Sequence, residues 1–332
     1  MRKTIILFTL LTTILTFCTQ NDFDEIKLIA GTGKEGFKDG SPGMLNKPIR
    51  FTPYKENSVI FADINNHAIR VVTLDGEVTT LAGGPGKKGY KDGPSSEAMF
   101  NSPHGVAYNK STGRLYVSEA GNHVIREINL ADNGSHMVKT FAGIPEKPGF
   151  RDGPADSAMF VSPHAVILGN DGEVFVADIG NARIRAIKDG MVTTIAGSGE
   201  SGNADGPPEK ASFKYAMDMV LDGSDILLAD AGSHLIRRIV PGSEVSTVIL
   251  KDTLNTPHGI AIDSYRNIYI ADMGTHRILK IGSDNNVIPI AGTGVSGSKL
   301  NELNKPAAVL VYAGYLWIAD LNNHQIKVLG LE

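Results

Sequence analysis

Residues 116–126 read YVSEAGNHVIR, and the same arrangement recurs five more times along the chain. Each copy has an aliphatic stretch that ends in an acid, a short polar turn, and a second stretch that carries a basic residue. The other copies are IFADINNHAIR (60–70), FVADIGNARIR (175–185), LLADAGSHLIR (227–237), YIADMGTHRILK (269–280) and WIADLNNHQIK (317–327). The acids therefore recur at intervals of 42 to 59 residues, and self-similarity at such a period predicts a repeat architecture.

Each repeat contains four candidate β-strands. In the second repeat they are PHGVAY (103–108), RLYVSE (114–119), HVIREINL (123–130) and MVKTFAG (137–143). Alternating apolar residues and β-branched side chains favour strands over helices, and Gly, Asn and Asp mark the breaks between them. The 37 glycines and 16 prolines of the 332-residue chain fit many short strands joined by tight turns. Four strands in a unit of this length are typical of a propeller blade.

The two ends of the repeat region complement each other. The last repeat stops after its third strand, HQIKVLGL (324–331), whereas EIKLIAG (25–31) resembles a fourth strand with no repeat before it. Pairing them would complete a sixth blade and leave no unpaired sheet edge at the junction. The sequence therefore predicts an all-β fold, a six-bladed β-propeller of four-stranded blades, formed by one domain over residues 25–332 and closed by the N-terminal strand.

Over residues 25–331 the repeated pattern resembles NHL repeats. The resemblance implies that the loop leading into each innermost strand and the turn between the second and third strands open on the same face. Because propellers support both binding and catalysis, function has to be argued from the residues on that face.

The N-terminus has the pattern of an export signal. Arg2 and Lys3 precede an uncharged apolar stretch at 4–17, which is shorter than the about 20 residues that a membrane-spanning helix needs. Residues 15–18, Leu-Thr-Phe-Cys, resemble a bacterial lipobox, although Phe17 stands where that motif prefers a small residue.

Cys18 is the single cysteine of the chain, so we expect no disulfide. We predict a lipoprotein signal at 1–18, acylation of Cys18, and a short tether at 19–24. The protein is then exported to the cell envelope and lipid-anchored to a bacterial membrane, on the periplasmic side or at the cell surface. The alternative is a cleaved secretory signal with an incidental cysteine.

The repeated turn, Asp-x-x-Asn-His-x-Ile-Arg, favours a structural role for its residues. Asp and Asn side chains bond nearby backbone N–H groups in turns, and the acids are placed to pair with Arg70, Arg126, Arg185 or Arg237 of the following strands. A catalytic residue is normally unique, whereas these residues recur in nearly every blade. The loops EGFKDG (35–40), KGYKDG (88–93) and PGFRDG (148–153), with the apolar residues that follow them, are interpreted as packing devices.

Three histidines occupy matching positions at the start of the innermost strands: His104, His164 and His258. Imidazoles that converge on a channel mouth are suitable ligands for Zn²⁺. Peptidyl-hydroxyglycine lyases, which are six-bladed relatives, place zinc on histidines in similar Pro-His positions of alternating blades. The alternating triads here are incomplete, because they read Ile49, His164, His258 and His104, Met217, Ala307. The alternative is that Pro-His-Gly is simply common at these strand starts.

The fourth repeat departs most from the pattern, with Tyr215, Met217 and Asp218 at the start of its innermost strand. Ligand contact and sequence drift both explain such an irregularity. Asp218 would be a channel carboxylate in the blade between those of His164 and His258, and Arg50 would lie opposite it, three blades away.

A net charge of −4 without a basic stripe argues against nucleic-acid partners. We expect a non-catalytic binding or scaffold protein that engages a protein or glycan through the channel face, with contacts from His104, His164, His258, Tyr215 and Met217. No cofactor is expected, and the membrane is contacted through the lipid anchor alone. The alternative is a metal-assisted lyase, lactonase or hydrolase that uses zinc or calcium, with the three histidines as candidate metal ligands and Asp218 and Arg50 as candidate catalytic residues.

Overall fold

The computed structural model describes residues 25–130 and 134–331. The predicted signal, Cys18 and the tether lie outside the described residues. Within the described part of the chain, no helix is long and apolar enough to cross a membrane. The fold is all-β, with six sheets and four short 3-10 helices.

Each sheet is one blade, with its strands numbered from the channel outwards. The first strands are Pro48–Pro53, Pro103–Asn109, Pro163–Leu168, Ala216–Asp222, Pro257–Ile262 and Pro306–Tyr312. The second strands are Ser58–Asp63, Arg114–Glu119, Val174–Asp178, Asp225–Asp230, Ile268–Asp272 and Tyr315–Asp320. The third strands are Ala68–Thr73, Val124–Asn129, Arg183–Lys188, Leu235–Val240, Arg277–Ile281 and Gln325–Gly330. The fourth strands of blades one to five are Val78–Gly83, Met137–Ala142, Met191–Ala196, Glu244–Thr247 and Val287–Ala291.

Smaller elements join these strands. In four blades a 3-10 helix forms the turn between the second and third strands, at Ile64–Asn66, Ile179–Asn181, Met273–Thr275 and Leu321–Asn323. Two-residue strands, Gly93–Pro94 and Gly153–Pro154, add a fifth strand to the outer edges of blades two and three. The fourth strand of blade four is short and ends at Thr247.

The blades form a closed ring. First strands of successive blades contact each other, and Pro48–Pro53 of blade one contacts the first strands of both blade two and blade six. Lys27–Ala30 pairs antiparallel with Gln325–Gly330, with Lys27 opposite Val328 and Ala30 opposite Ile326. This strand supplies the fourth strand of blade six, so the predicted closure by the two ends is confirmed.

A buried ion-pair clamp holds each of the first four blades. In blade one Arg70 is fully buried, and its two Nη atoms lie 2.8 Å from Asp63 Oδ2 and 2.7 Å from Asp39 Oδ1. Asp39 comes from the preceding loop and also accepts a hydrogen bond from the Thr80 hydroxyl at 2.9 Å. The corresponding arginine sets are Arg126 with Glu119 and Asp92, Arg185 with Asp178 and Asp152, and Arg237 with Asp230 and Asp205. The predicted structural pairing of these acids and arginines is confirmed.

A histidine in the turn links one blade to the next. His67 lies just after the 3-10 helix at a φ of 52°, and its Nδ1 accepts a hydrogen bond from the Ser102 N–H of blade two at 3.2 Å. The same bond is made by His123 to Ser162, His234 to Thr256, His276 to Lys305 and His324 to Lys47. We call these five bonds the histidine clasps.

Blade four begins without a histidine clasp. Blade three has Ala182 where the other blades have the histidine, so it has no imidazole to offer to blade four. The Tyr215 N–H instead donates to Asp230 Oδ1 of its own blade at 2.9 Å. The N–H group that lacks a clasp is thus satisfied within blade four.

Candidate functional site

The channel mouth lies where the turns between second and third strands meet the loops leading into the first strands. In blade one, for example, the Ile64 N–H of the turn donates to Lys47 O at 3.3 Å. We call this end of the propeller the turn face, and the other end, where first strands lead into second strands, the far face. His104, His164, His258 and Met217 each follow the first residue of a first strand, which places them at the turn-face mouth.

Arg50 reaches across the channel. Its φ of 48° is in the left-handed region, and its side chain is almost fully buried. Nη1 donates to Ala307 O at 3.0 Å, and Nη2 donates to Met217 O and, at 3.5 Å, to His258 O. The guanidinium therefore satisfies backbone carbonyls of blades four, five and six, which the channel edges of the first strands leave unpaired.

Asp218 completes this arrangement. Its Oδ1 lies 3.2 Å from Arg50 Nε and accepts the Met219 N–H at 2.9 Å, while Oδ2 accepts the Ile260 N–H at 3.0 Å. Burial raises the pKa of Asp218 and lowers that of Arg50, and each charge partly opposes the shift of the other. Both side chains are thus engaged in holding blades together.

His104 and His164 form a stacked pair. Their ring centroids are 4.1 Å apart and the planes are inclined by 18°. Gly105 allows this approach of blades two and three, since a Cβ at Gly105 would lie 2.4 Å from His164 O. The Ser118 hydroxyl bridges the gap, because it accepts the Gly105 N–H at 2.8 Å and donates to His164 O.

Ser118 was not singled out by the sequence reasoning, although a signal was present. Blade two has serine at a position where every other repeat has alanine: Ala62, Ala177, Ala229, Ala271 and Ala319. A hydroxyl at this buried site bonds two backbone groups of adjacent first strands. Ser118 therefore positions the stacked histidines without belonging to the surface.

The three mouth histidines are neutral near physiological pH. Burial, reinforced by the charge of Arg50, lowers the pKa of His258 to about 3. Burial also lowers the pKa of His104 to about 4 and that of His164 well below its ordinary value. The Nδ1 of His258 lies 2.8 Å from Ala307 O, and that of His104 lies 3.2 Å from Ser102 O. A carbonyl accepts only, so these two Nδ1 atoms carry the proton and leave Nε2 as an acceptor.

The mouth histidines are the donors that a metal at this face would use. In the described part of the chain, no three His, Cys, Asp or Glu side chains are grouped to hold a metal ion. The stacking of His104 on His164 sets their nitrogens in nearly parallel planes, whereas zinc takes its ligands in a tetrahedral arrangement. A zinc ion would require one ring of the stack to turn.

Tyr215 is the most open of the proposed contact residues, with 55% of its surface exposed. Gly232 in the blade-four turn makes room for its ring, since a Cβ there would lie 2.5 Å from Tyr215 Cδ2. Met217 and His104 are half-buried beside the mouth. Together with His164, these side chains give the turn face an aromatic and apolar centre.

Arg50 and Asp218 divide the channel. On their far-face side lies a cavity of about 310 Å³ lined by the remaining lengths of the first strands, with Arg50 and Asp218 in its wall. His104, His164, His258, Tyr215 and Met217 are not part of that wall. Of the residues proposed from sequence, His104, His164, Tyr215 and Met217 are accessible at the turn face, whereas His258 is only 5% exposed. Arg50 and Asp218 form an ion pair within the channel.

Comparison with known proteins agrees with the repeat pattern. The profile of the NHL repeat matches residues 100–128 and 254–281. NHL repeat-containing protein 2 from Bos taurus is 31% identical over 89% of this chain and 48% of its own length. The human protein of that name is 30% identical over 82% of this chain and 45% of its own length. The chain thus spans about half the length of these relatives.

Solved structures share the fold at low sequence identity. A protein described as an auxiliary nutrient binding protein from Bacteroides thetaiotaomicron superposes with a TM-score of 0.67 at 12% identity, over 92% of this chain and 76% of that one. Virginiamycin B lyase from Staphylococcus aureus superposes with a TM-score of 0.57 at 16% identity, over 86% and 96%. The repeat matches and the closed ring of six blades together support an NHL-repeat β-propeller.

Proposed function

We propose that this protein is an exported, lipid-anchored propeller that binds a protein or glycan ligand at its turn face without catalysing a reaction. The observation that carries the proposal is the use of Arg50 and Asp218 as an internal brace, with their polar atoms directed to backbone groups and to each other. The two charged residues proposed for catalysis thus have a structural role. Ligand recognition is then assigned to the surface around the mouth.

The composition of that surface supports a binding role. Tyr215, Met217 and the stacked histidines provide aromatic and apolar contact area in the centre. Four asparagines lie in the surrounding loops, each two residues before the start of a first strand: Asn46, Asn101, Asn255 and Asn304. Aromatic centres with polar rims are typical of recognition surfaces on proteins. One protein with this fold is described as nutrient-binding, which is compatible with such a role.

Binding to defined probe sets tests the proposal. The mature chain would be screened on a glycan array and a peptide array, and the strongest probe then titrated by calorimetry. We expect Tyr215→Ala to weaken binding of that probe by about tenfold or more. The matched control is Tyr265→Ala, because Tyr265 is 80% exposed and lies between the first and second strands of blade five, on the far face. Absence of saturable binding, or equal weakening by both variants, would overturn the proposal.

A metal-assisted lyase, lactonase or hydrolase is the second candidate. The observation that favours it is the group of three neutral imidazoles at one mouth, two of which have Nε2 as an acceptor. The residues that would hold zinc are His104, His164 and His258. Elemental analysis of protein purified without added metal separates the two functions. Stoichiometric zinc or calcium that is lost in His164→Ala would favour the enzyme over the binding protein.

A further inference from the structure

Blades one to four cover the outer edge of their fourth strand with their own preceding loop. In blade one the Gly40 N–H donates to Val78 O at 2.8 Å, and the Val78 N–H donates back at 3.2 Å. Equivalent contacts join 93–94 to 137–138, 153–154 to 191–192, and Gly206 to Val245. The loop aspartate of the clamp then fastens this cover to the threonine of the fourth strand.

Blade five lacks most of that cover, and its preceding loop keeps one backbone hydrogen bond to this edge, from the Lys251 N–H to Asn285 O at 3.1 Å. Its preceding loop, 248–256, has no Gly-aromatic-basic-Asp-Gly turn. Leu279 stands in place of the clamp arginine, and Pro289, directly opposite it, stands in place of the threonine. The departure therefore involves the loop and two facing positions of the third and fourth strands, which is more than the loss of a single residue.

An apolar groove lies at the place where the cover is missing. It has a volume of about 610 Å³ and is lined by Glu25, Ile26, Pro289, Ile290 and Leu300 among others. Apolar side chains continue around it at the surface: Ile288 is 52% exposed, Leu28 45%, Leu300 44% and Val295 69%. We call this surface the blade-five wall. Exposed apolar patches of this kind on soluble domains mark interaction sites, including those for membranes.

The position of the chain start indicates what covers this wall. Glu25 and Ile26, which line the groove, are seven and eight residues after Cys18. An extended chain of seven residues reaches at most about 25 Å. A lipid on Cys18 would therefore hold the bilayer surface close to the blade-five wall, whereas the opposite side, blade two, would face away from it.

We infer that the blade-five wall rests on the lipid surface; this inference relies on the lipid anchor of the proposed function. The charged residues among those that line the groove are Glu25 and Arg277, whose opposite charges balance, so the contact is mainly apolar. The lipid anchor keeps the blade-five wall at a high local concentration next to the membrane. Even a weak apolar contact of the wall then adds to the membrane binding of the anchor. The propeller then lies on its side, and the turn face and the far face both remain open to solvent.

Tryptophan quenching by brominated lipid tests this orientation. The mature chain would be coupled through Cys18 to phosphatidylcholine vesicles that contain maleimide lipid and bromine-labelled acyl chains. Ile288→Trp reports on the wall, and Met137→Trp is the matched control, because both residues are about half exposed in the fourth strands of opposite blades. Leu300→Trp serves as a second reporter if Ile288→Trp does not fold. The buried Trp317 contributes equally to all variants and is subtracted.

We expect bromine to quench most of the Ile288→Trp fluorescence and to leave that of Met137→Trp unchanged. Equal quenching of the two, or none in either wall reporter, would overturn the inference. Chemical coupling at Cys18 does not depend on acylation in the cell. Failure of the orientation is therefore distinguishable from failure of the anchor itself, which is read from acyl labelling of the native protein.

Discussion

The carboxylate of Asp218 lies 3.2 Å from the guanidinium of Arg50, although the two residues come from blades on opposite sides of the ring. Each side chain also holds a neighbouring first strand, because Arg50 donates to Ala307 O and Asp218 accepts the Ile260 N–H. The pair acts as a brace across the channel and separates the turn-face mouth from the far-face cavity.

Removal of one member of this brace should destabilise the whole propeller. Asp218→Asn leaves the Arg50 charge buried without its partner, and breaking a buried pair in this way costs about 3 to 5 kcal/mol. Urea unfolding monitored by circular dichroism measures the loss. We expect the double variant Arg50→Met, Asp218→Asn to lose less than the sum of the two single variants, because the members interact directly.

The control for the brace is an exposed ion pair. Lys91 and Glu97 are 2.8 Å apart, but both are at least half exposed, and pairs of this kind contribute little to stability. Glu97→Gln should therefore leave the urea midpoint unchanged. A comparable loss in Glu97→Gln, or unchanged stability in Asp218→Asn, would contradict the role of the brace.

The histidine clasps should make part of the stability depend on pH. Burial lowers the pKa of His67 below its ordinary value of 6.5, so the unfolded chain binds a proton there more readily than the folded chain. Its contribution is fully present above about pH 6.5 and is lost as the pH falls through the lower folded pKa.

His67→Asn isolates this effect, because asparagine tolerates the φ of 52° and does not titrate. The difference in unfolding free energy between the wild type and this variant should shrink as the pH falls from 7.5 towards 5. The other titrating groups are the same in both proteins, so their contributions cancel in this difference of unfolding free energies. A constant difference over that range would show that protonation of His67 does not change the stability that its clasp contributes.

The closing strand should be essential to the ring. Deletion of residues 19–31 removes Lys27–Ala30 from blade six and exposes the edge of Gln325–Gly330. Calorimetry should show a markedly lower melting temperature for the whole domain, since the blades fold around one ring. Equal melting temperatures of the shortened chain and the mature protein would contradict the role of this strand in closing the ring.

Cys18 should decide the membrane association. Cys18→Ser should abolish acyl labelling and release the protein from the membrane fraction, because no other cysteine is present in the chain. Equal partitioning of the variant and the parent would remove the lipoprotein proposal. Export itself should be retained in both, since the apolar stretch at 4–17 is unchanged.

The repeats alone were sufficient to predict the blades and their order. Period, strand pattern and the complementary ends identify a closed ring of six, because each blade is a local unit whose turn residues recur six times. The pairing of Asp63 with Arg70 was also accessible, since both belong to one repeat. Loop aspartates such as Asp39 belong to loops that the sequence indicates as packing devices, but their ion pair with the arginine of the next third strand was not predicted.

The sequence by itself determined that this chain has six repeats, one closing strand and three histidines at matching positions. Only the tertiary structure decided what those positions do, because side chains of different blades meet at the channel from far apart in sequence. Arg50 and Asp218 are 168 residues apart and still form one ion pair, and Gly105 with Ser118 stacks His104 on His164. Local pattern specifies each blade, whereas the ring closure sets the contacts between blades.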